Sequence, residues 1–278
     1  MMKKMNKFFA FSMAVAMMGT LAACGSAPAD DAASSGDVEN AMVYAVEAGS
    51  AGEAVAKEKG FTYNSVAAQA DTLMEVSAGT SDAAIIDLLM ANAMIGEGTS
   101  YPNLKYTDSL TEELYGIGCR QESDLPEFIN AVLAGAYADG TMSTLAETYK
   151  IAEDALVPQE AVEFDFAAYE PAEGGDVAYI KEKGKMVVGM TEFAPMDYRG
   201  EKDDWIGFDA DLAKLVAEKL GVEIEFVVLD WDMKIMELNS KNVDVLWNGM
   251  TLTDEVLNSM ATTNAYCKNA QVIVVPAE

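Results

Sequence analysis

Residues 186–229, MVVGMTEFAPMDYRGEKDDWIGFDADLAKLVAEKLGVEIEFVVL, place an apolar strand, an amphipathic helix and a second strand in succession. Strands that alternate with helices predict a mainly parallel sheet, with ligands bound at the carboxyl ends of the strands. The predicted elements of this series are the strand Met186–Met190, the helix Asp209–Leu220, the strand Glu223–Leu229, the helix Met233–Ser240, the strand Val243–Trp247, a turn at Asn248–Thr251 and the strand Ala270–Val275. The fold class is therefore α/β.

The part of the chain before residue 157 predicts a second α/β series. Its elements are the strand Met42–Val46, the turn Glu47–Gly52, a helix ending near Lys59–Gly60, the helix Ala67–Ala78, the apolar run Ser81–Met90, the strand Tyr115–Cys119 and a helix pair from Leu125 to Tyr149 broken at Asp139-Gly140. The glycine turn is not a phosphate-binding P-loop, because the Gly-Lys-Ser/Thr end of that motif is missing. Asp87 lies in an apolar run, where it either caps a helix or faces a ligand.

The N-terminus has the organisation of a bacterial export signal. Three lysines precede the apolar stretch Phe8–Met18, which is shorter than the about 20 residues of a transmembrane helix. The segment ends in Leu21-Ala22-Ala23-Cys24, which resembles a lipoprotein lipobox; an ordinary secretory signal is the alternative. We predict a signal peptide over 1–23, lipid attachment at Cys24 and a flexible tether over 24–40. The protein is then expected outside the cytoplasm, anchored to the membrane by its lipid.

Composition excludes several classes of function. The chain has 46 Asp and Glu against 18 Lys and Arg, so a general nucleic-acid-binding surface is excluded. It contains no histidine, which excludes histidine-based catalytic triads and histidine metal sites. Besides Cys24, Cys119 and Cys267 are too few and too distant in sequence for a zinc site. We predict no metal and no cofactor.

Six short segments carry a resemblance to a known family. They are Glu47–Gly52, Asp82–Asp87, Tyr115–Ile117, Thr191–Pro195, Gly207–Leu212 and Asn248–Thr253. Together they resemble the type II, family 3 amino-acid-binding proteins of ABC importers. The resemblance implies a two-lobed periplasmic-binding-protein-like fold, whose lobes close about a hinge and bury an amino acid.

The two halves stand in the opposite order to the family's, so the chain is expected to be circularly permuted. The implied divisions are lobe 2 over 41–114, a crossover and the C-terminal part of lobe 1 over 115–156, a linker joining the family's usual termini over 157–176, and the N-terminal part of lobe 1 plus a hinge strand over 177–278. The strand Ala270–Val275 is expected beside Tyr115–Cys119. Cys119 and Cys267 would lie near this hinge, either free or joined by a disulfide. A monomer is expected, with a domain-swapped dimer as the alternative.

The resemblance also implies a ligand pocket. Phe193 and Trp231 match aromatic residues that stack on the ligand, although both would also suit core packing. Asp87 matches the carboxylate that receives the ammonium group, and Ser50 matches a residue that binds the ligand carboxylate from a helix N-terminus. The full predicted set is Glu47, Ser50, Ala51, Asp87, Glu192, Phe193, Trp231, Asn248, Gly249, Met250 and Thr251. Asp209 is expected to cap the helix that follows it.

One position departs from the family. Val256 stands where the family usually has an arginine that clamps the ligand carboxylate, so helix N-termini must hold that group or the ligand lacks it. Glu47, Glu192 and Asp87 are acids that favour a ligand with net positive charge. A polar or basic amino acid is therefore predicted, with a polyamine-like cation as the alternative.

The function implied is capture of an amino acid for delivery to an ABC permease in the membrane. The chain is not expected to be an enzyme, although the fold also hosts dehydratases. A ligand sensor or scaffold of the same fold is the other alternative.

Overall fold

The structure, a computed structural model, describes residues 42–277. The predicted signal peptide, Cys24 and the tether over 24–40 lie outside the described residues. Within 42–277, no helix combines the length and the apolar character needed to cross a membrane.

The structure confirms that the chain is α/β. The first part contains β1 (Val43–Glu47), α1 (Ala51–Lys59), β2 (Thr62–Val66), α2 (Gln69–Ala78), β3 (Ala83–Asp87), α3 (Leu88–Met94), β4 (Leu104–Ser109), β5 (Glu113–Cys119), α4 (Leu125–Ala138) and α5 (Thr141–Thr148). The second contains α6 (Asp176–Lys183), β6 (Lys185–Met190), β7 (Tyr198–Arg199), β8 (Trp205–Ile206), α7 (Phe208–Leu220), β9 (Glu223–Val228), α8 (Lys234–Asn239), β10 (Val245–Thr251), α9 (Asp254–Ser259), β11 (Ala261–Thr262), β12 (Cys267–Asn269) and β13 (Gln271–Pro276).

Most strands belong to one of two sheets, which define two lobes. The sheet of lobe 2 has the order β2-β1-β3-β13-β4, and the sheet of lobe 1 has the order β11-β5-β10-β6-β9, with β12 also paired to β5. All five residues of β3 are buried, as expected for a central strand that is covered on both faces, whereas the edge strand β2 is largely exposed.

The two sheets share one plan. In lobe 2, β1 pairs in parallel with β2 and β3; in lobe 1, β6 pairs in parallel with β9 and β10. Beside each parallel trio lies one antiparallel strand from the other half of the chain, β13 next to β3 and β5 next to β10. The described chain therefore crosses between the lobes twice, from β4 to β5 and from β12 to β13.

The predicted position of the last strand was wrong. Residues Ala270–Val275 were expected beside Tyr115–Cys119, but β13 lies in lobe 2 between β3 and β4. It is β12 that pairs with β5. The reason is that the chain changes lobes at Ala270, whose carbonyl accepts a hydrogen bond from the amide of Leu88, so the apolar run fills the lobe 2 sheet.

The turn predicted at Asn248–Thr251 was also wrong, because β10 continues through these residues as a buried strand. Its pairing with β5 shifts register between Leu246 and Met250, which marks a bulge. Gly249 lies in the bulge with φ 54°, a conformation that glycine adopts without strain.

The two buried cysteines are free thiols and do not form the disulfide considered above. Cys267 pairs with Tyr115, four residues before Cys119 on β5, so the two α-carbons are about 13 Å apart along the strand. A disulfide requires α-carbons within about 7 Å.

The segment over residues 157–175 contains no helix or strand but packs against lobe 1. The rings of Phe164, Phe166 and Tyr169 surround Phe128 of α4, at centroid distances of 5.8, 5.3 and 5.4 Å. Phe128 is itself buried. The segment is thus a strap held by an aromatic cluster before the chain enters α6.

Candidate ligand-binding site

The cleft between the lobes brings together every predicted pocket residue except Glu192. Its lining residues are Glu47, Ser50, Ala51, Gln69, Asp87, Phe193, Trp231, Asn248, Gly249, Met250 and Thr251. Glu47 and Asp87 end the parallel strands β1 and β3, and Phe193 follows β6, as expected for a site at the carboxyl ends of parallel strands. Glu192 is exposed and does not line this cleft.

Glu47 is a buried carboxyl group facing the cleft. Its side chain is 4% exposed, and among the described residues Oε1 has no hydrogen-bond partner. The pKa of Glu47 is raised to about 8, chiefly by burial; the charge of Asp87 adds to the rise and that of Lys234 opposes it. An acid of this kind is neutral at pH 7 on its own and ionises when a cation approaches.

Asp87 is a second buried acid, fixed by a polar network. Its Oδ2 accepts a hydrogen bond from Gln69 Nε2 at 2.5 Å, and its Oδ1 accepts bonds from the hydroxyl of Tyr115 and from Asn269 Nδ2. Burial, followed by the charge of Glu113, raises the pKa of Asp87 to about 7. Asp87 precedes α3, but its side chain does not cap that helix.

Phe193 and Trp231 line the cleft and also pack in the hydrophobic core. Phe193 and Trp231 are 3% and 7% exposed. Phe193 meets the ring of Tyr115 edge to face, with centroids 6.5 Å apart. A β-carbon at Gly249 would lie 2.6 Å from Phe193 Cε1, so only glycine lets this strand approach the ring.

The backbone amide of Gly249 is held in place by a buried carboxylate, that of Asp209. Asp209 Oδ2 accepts the amide of Gly249 at 2.6 Å, and both oxygens of Asp209 accept bonds from the hydroxyl of Tyr266. Asp209 was expected to cap α7; instead Gly207 holds the cap position and Asp209 supports the cleft. The pKa of Asp209 is raised to about 7 by burial.

Other predicted polar groups already have partners within the protein. The side chain of Asn248 bonds to the backbone of Thr191 and to Asp197. Thr251 Oγ1 donates to Glu113 Oε2 at 3.0 Å. Ser50 caps α1, because its hydroxyl oxygen accepts the amide of Glu53 at 3.1 Å.

Sequence reasoning missed Gln69, Tyr115, Asn269 and Lys234. Tyr115 was recognised as a strand residue, but its contact with Asp87 joins residues 28 apart and depends on the crossing of β5. Gln69 opens α2, so its approach to Asp87 follows from the packing of that helix on β3. Asn269 reaches the cleft because the chain changes lobes next to it. No local sequence pattern predicts such contacts.

The cleft itself is narrow. It encloses about 30 Å³, far less than the about 300–1,000 Å³ of small-molecule sites. Gly49 of lobe 2 packs against the backbone of Asp232 in lobe 1, since a β-carbon there would lie 2.5 Å from the α-carbon of Asp232. Entry of a ligand therefore requires the lobes to move apart.

Comparison with known proteins relates part of this chain to one family. Residues 186–278 match the family model described as bacterial extracellular solute-binding proteins, family 3. The match covers β6 to β13, which supply Phe193, Trp231 and the β10 side of the cleft.

Curated relatives agree with the family match. The arginine-binding extracellular protein ArtP of Bacillus subtilis is 37% identical over 93 residues, 33% of this chain and 36% of that protein. A probable histidine-binding protein of Neisseria gonorrhoeae is 34% identical over 90 residues, 32% of this chain and 34% of that protein. The chain spans about a third of the length of these relatives.

Among solved structures, the arginine-bound Phe57Trp mutant of domain 1 from TmArgBP is 34% identical. The match covers 36% of this chain and 84% of that chain, with a TM-score of 0.32.

Proposed function

We propose that this protein is a family 3 solute-binding protein, which captures a polar or basic amino acid outside the cytoplasm and delivers it to an ABC permease. The observation that carries the proposal is the pair of buried carboxyl groups, Glu47 and Asp87, at the ends of two parallel strands and opposite Phe193 and Trp231. Two acids and two aromatic faces form a receptor for an ammonium or guanidinium group. The arginine- and histidine-binding relatives support this choice of ligand.

The two crossings between the lobes give the site its mode of action. Hinge closure around a ligand requires lobes that move as units about few connecting segments. Here β4–β5 and β12–β13 provide those segments, and both run beside the cleft. The closed form is the one that the permease would recognise. We propose a binding role without catalysis, in a monomer whose N-terminal Cys24 carries the lipid anchor.

We also propose that the chain is a circular permutant of its family. The family match begins at residue 186, and the segments of the first half that resemble the family lie before it. The strap over 157–175 connects α5 to α6 within lobe 1, where it would join the family's usual termini. The shared plan of the two sheets supports this proposal, because each half supplies a parallel trio to one lobe and an antiparallel strand to the other.

The test is a binding screen on the purified protein with the twenty amino acids, by thermal unfolding and calorimetry. A ligand specific for the folded state adds about 2.7 kcal/mol of stability at one hundred times its dissociation constant. We expect arginine, lysine or histidine to raise the unfolding midpoint more than neutral or acidic amino acids do. No rise with any amino acid would refute the proposed function.

A matched pair of variants assigns the binding to the cleft. Asp87→Asn removes the charge at the cleft end of β3 and is expected to weaken binding on the order of 10- to 100-fold, the size of a charge-assisted hydrogen bond. Asp82→Asn removes the same charge just before the start of β3, where Asp82 is exposed and accepts the amide of Val43, and it is expected to leave affinity unchanged. Equal effects of the two changes would count against this site.

A further inference from the structure

A second cavity adjoins the cleft and contains a lysine. It measures about 200 Å³, and it shares Ser50, Ala51, Trp231, Met250 and Thr251 with the cleft. Lys234, the first residue of α8, lines this cavity but not the cleft itself. The two spaces therefore adjoin and share walls; Glu47 and Asp87 line one, and Lys234 lines the other.

Lys234 is a buried ammonium group without an acidic partner. It is 6% exposed, and its Nζ donates to the carbonyl oxygens of Gly49 at 2.8 Å and Trp231 at 3.2 Å. Within residues 42–277 no carboxylate oxygen lies within 4.0 Å of it. A buried charge is costly when it is held by neutral groups alone.

The surroundings of Lys234 favour an anion in the cavity. Ser50 and Ala51 form the start of α1 on the opposite wall, so the positive end of that helix faces the same space. Asp254 and Glu255 also border the cavity, but both are exposed and their charges are screened by water. The charges of Glu255, Glu47, Asp232 and Glu53 all act on Lys234. Among the residues that line this cavity, however, Lys234 is the one charged side chain that is buried.

We propose that Lys234 binds the carboxylate of the ligand while the cationic group of the same ligand lies toward Glu47 and Asp87. The inference rests on the proposed function and narrows it. Charges of opposite sign in two adjoining spaces select a zwitterionic amino acid with a cationic side chain. A decarboxylated amine of the same length leaves Lys234 without its anion.

The experiment compares each amino acid with its decarboxylated counterpart: L-arginine with agmatine and L-lysine with cadaverine. Affinities are measured by calorimetry for the wild-type protein, Lys234→Gln and Lys234→Arg. Lys234→Gln loses the charge but keeps an N–H donor for the carbonyl of Gly49, so the contact between the lobes persists. Thermal unfolding without ligand confirms that each variant is folded.

The wild-type protein is expected to prefer the amino acid over its amine by at least about tenfold. Lys234→Gln is expected to lose that preference by weakening the amino acid and sparing the amine, and Lys234→Arg to retain it. If Lys234→Gln weakens both ligands equally, Lys234 joins the lobes rather than recognising a carboxylate, and the inference is wrong. It is also wrong if the preference survives in Lys234→Gln, although the proposed function then stands. A wild-type protein that binds no amino acid overturns the proposed function instead.

Discussion

At the scale of single residues, burial decides the chemistry of Glu47. The protonated form is favoured in the folded protein because the carboxyl group has lost its water and lies near Asp87. The pKa rises from the ordinary 4.5 to about 8. Since the folded state then holds a proton that the unfolded state has released, folding stability depends on pH in this range.

The sign of that dependence gives the first prediction. Below pH 4.5 both states are protonated and the contribution of Glu47 to stability is complete; it is lost as the pH rises to about 8. The free energy of unfolding, measured with urea, is therefore expected to fall across this window. Glu47→Gln cannot ionise, so its free energy of unfolding is expected to fall less steeply.

Two observations check this prediction. Asp87, Asp197 and Asp209 are also buried acids with raised pKa values and contribute with the same sign, so a weaker slope should remain in Glu47→Gln. Glu58→Gln, at an exposed position of α1, serves as the control and should keep the slope of the wild-type protein. Identical pH profiles for Glu47→Gln and the wild-type protein would contradict the prediction.

At the scale of elements, the strap over 157–175 shows that a segment without regular structure is still part of the core. Its order depends on Phe128, which is 1% exposed and contacts three strap rings. Phe128→Ala is expected to lower the free energy of unfolding by about 3 kcal/mol. The substitution should also release the strap from lobe 1. A glutamate-specific protease added under native conditions should then cut the chain at the glutamates of the strap.

The control for the strap is a similar aromatic loss in the other lobe. Phe61 stacks on Tyr44 of lobe 2, with centroids 4.5 Å apart. Phe61→Ala should also lower stability, yet it should leave the strap resistant to the protease. Rapid cleavage of the strap in the wild-type protein would show that the aromatic cluster does not hold it.

The sequence predicted elements better than it predicted their partners. The helices α2, α7 and α8 and the strands β1, β6, β9 and β10 follow from periodicity and turn residues, which are local signals. The strand β2 was not predicted, and β3 was recognised only as part of an apolar run. The break between α4 and α5 at Asp139-Gly140 is one such success. The lobe in which β13 lies depends on where the chain crosses, and Val272 pairs with Ile86, 186 residues away. Such pairing is a tertiary property that no local window contains.

The residues of the candidate site also divide into those that local sequence segments predicted and those that depend on tertiary contacts. The family resemblance located the strand ends that carry Glu47, Asp87 and Phe193, because those positions lie within short recognisable segments. Lys234 was missed because it lies on a helix, where a lysine in the sequence usually predicts a position exposed to solvent. Its burial arises from the contact of α8 with the turn at Gly49 in the other lobe.

At the scale of the whole molecule, the two halves share the plan that the proposed circular permutation requires. Each half supplies a parallel trio to its own lobe and one antiparallel strand to the other lobe. The contacts of the fold therefore depend on both halves being present, and not on which half comes first. Reversing the order changes only which chain ends are joined.

The two ends of the described chain lie close enough to be joined by a short linker. Val43 at the start of β1 bonds to Asp82, and Val274 of β13 pairs with Ala84, so both ends lie beside the start of β3. They are two strand spacings, about 10 Å, apart. A Gly/Ser linker of about eight residues, with a root-mean-square span of about 16 Å, can join them.

The last prediction concerns a chain with the halves exchanged. It begins at Gly175, runs to Ala277, passes through the Gly/Ser linker to Met42 and ends at Gly174. Every strand pairing and the strap cluster are kept in this chain. Its free energy of unfolding is therefore expected to lie within about 2 kcal/mol of that of the parent protein, and it is expected to bind the same amino acid. Light scattering should give the same mass for both. A dimer formed by the exchanged chain, or loss of binding in a folded monomer, would show that the natural order of the halves is needed to close the cleft.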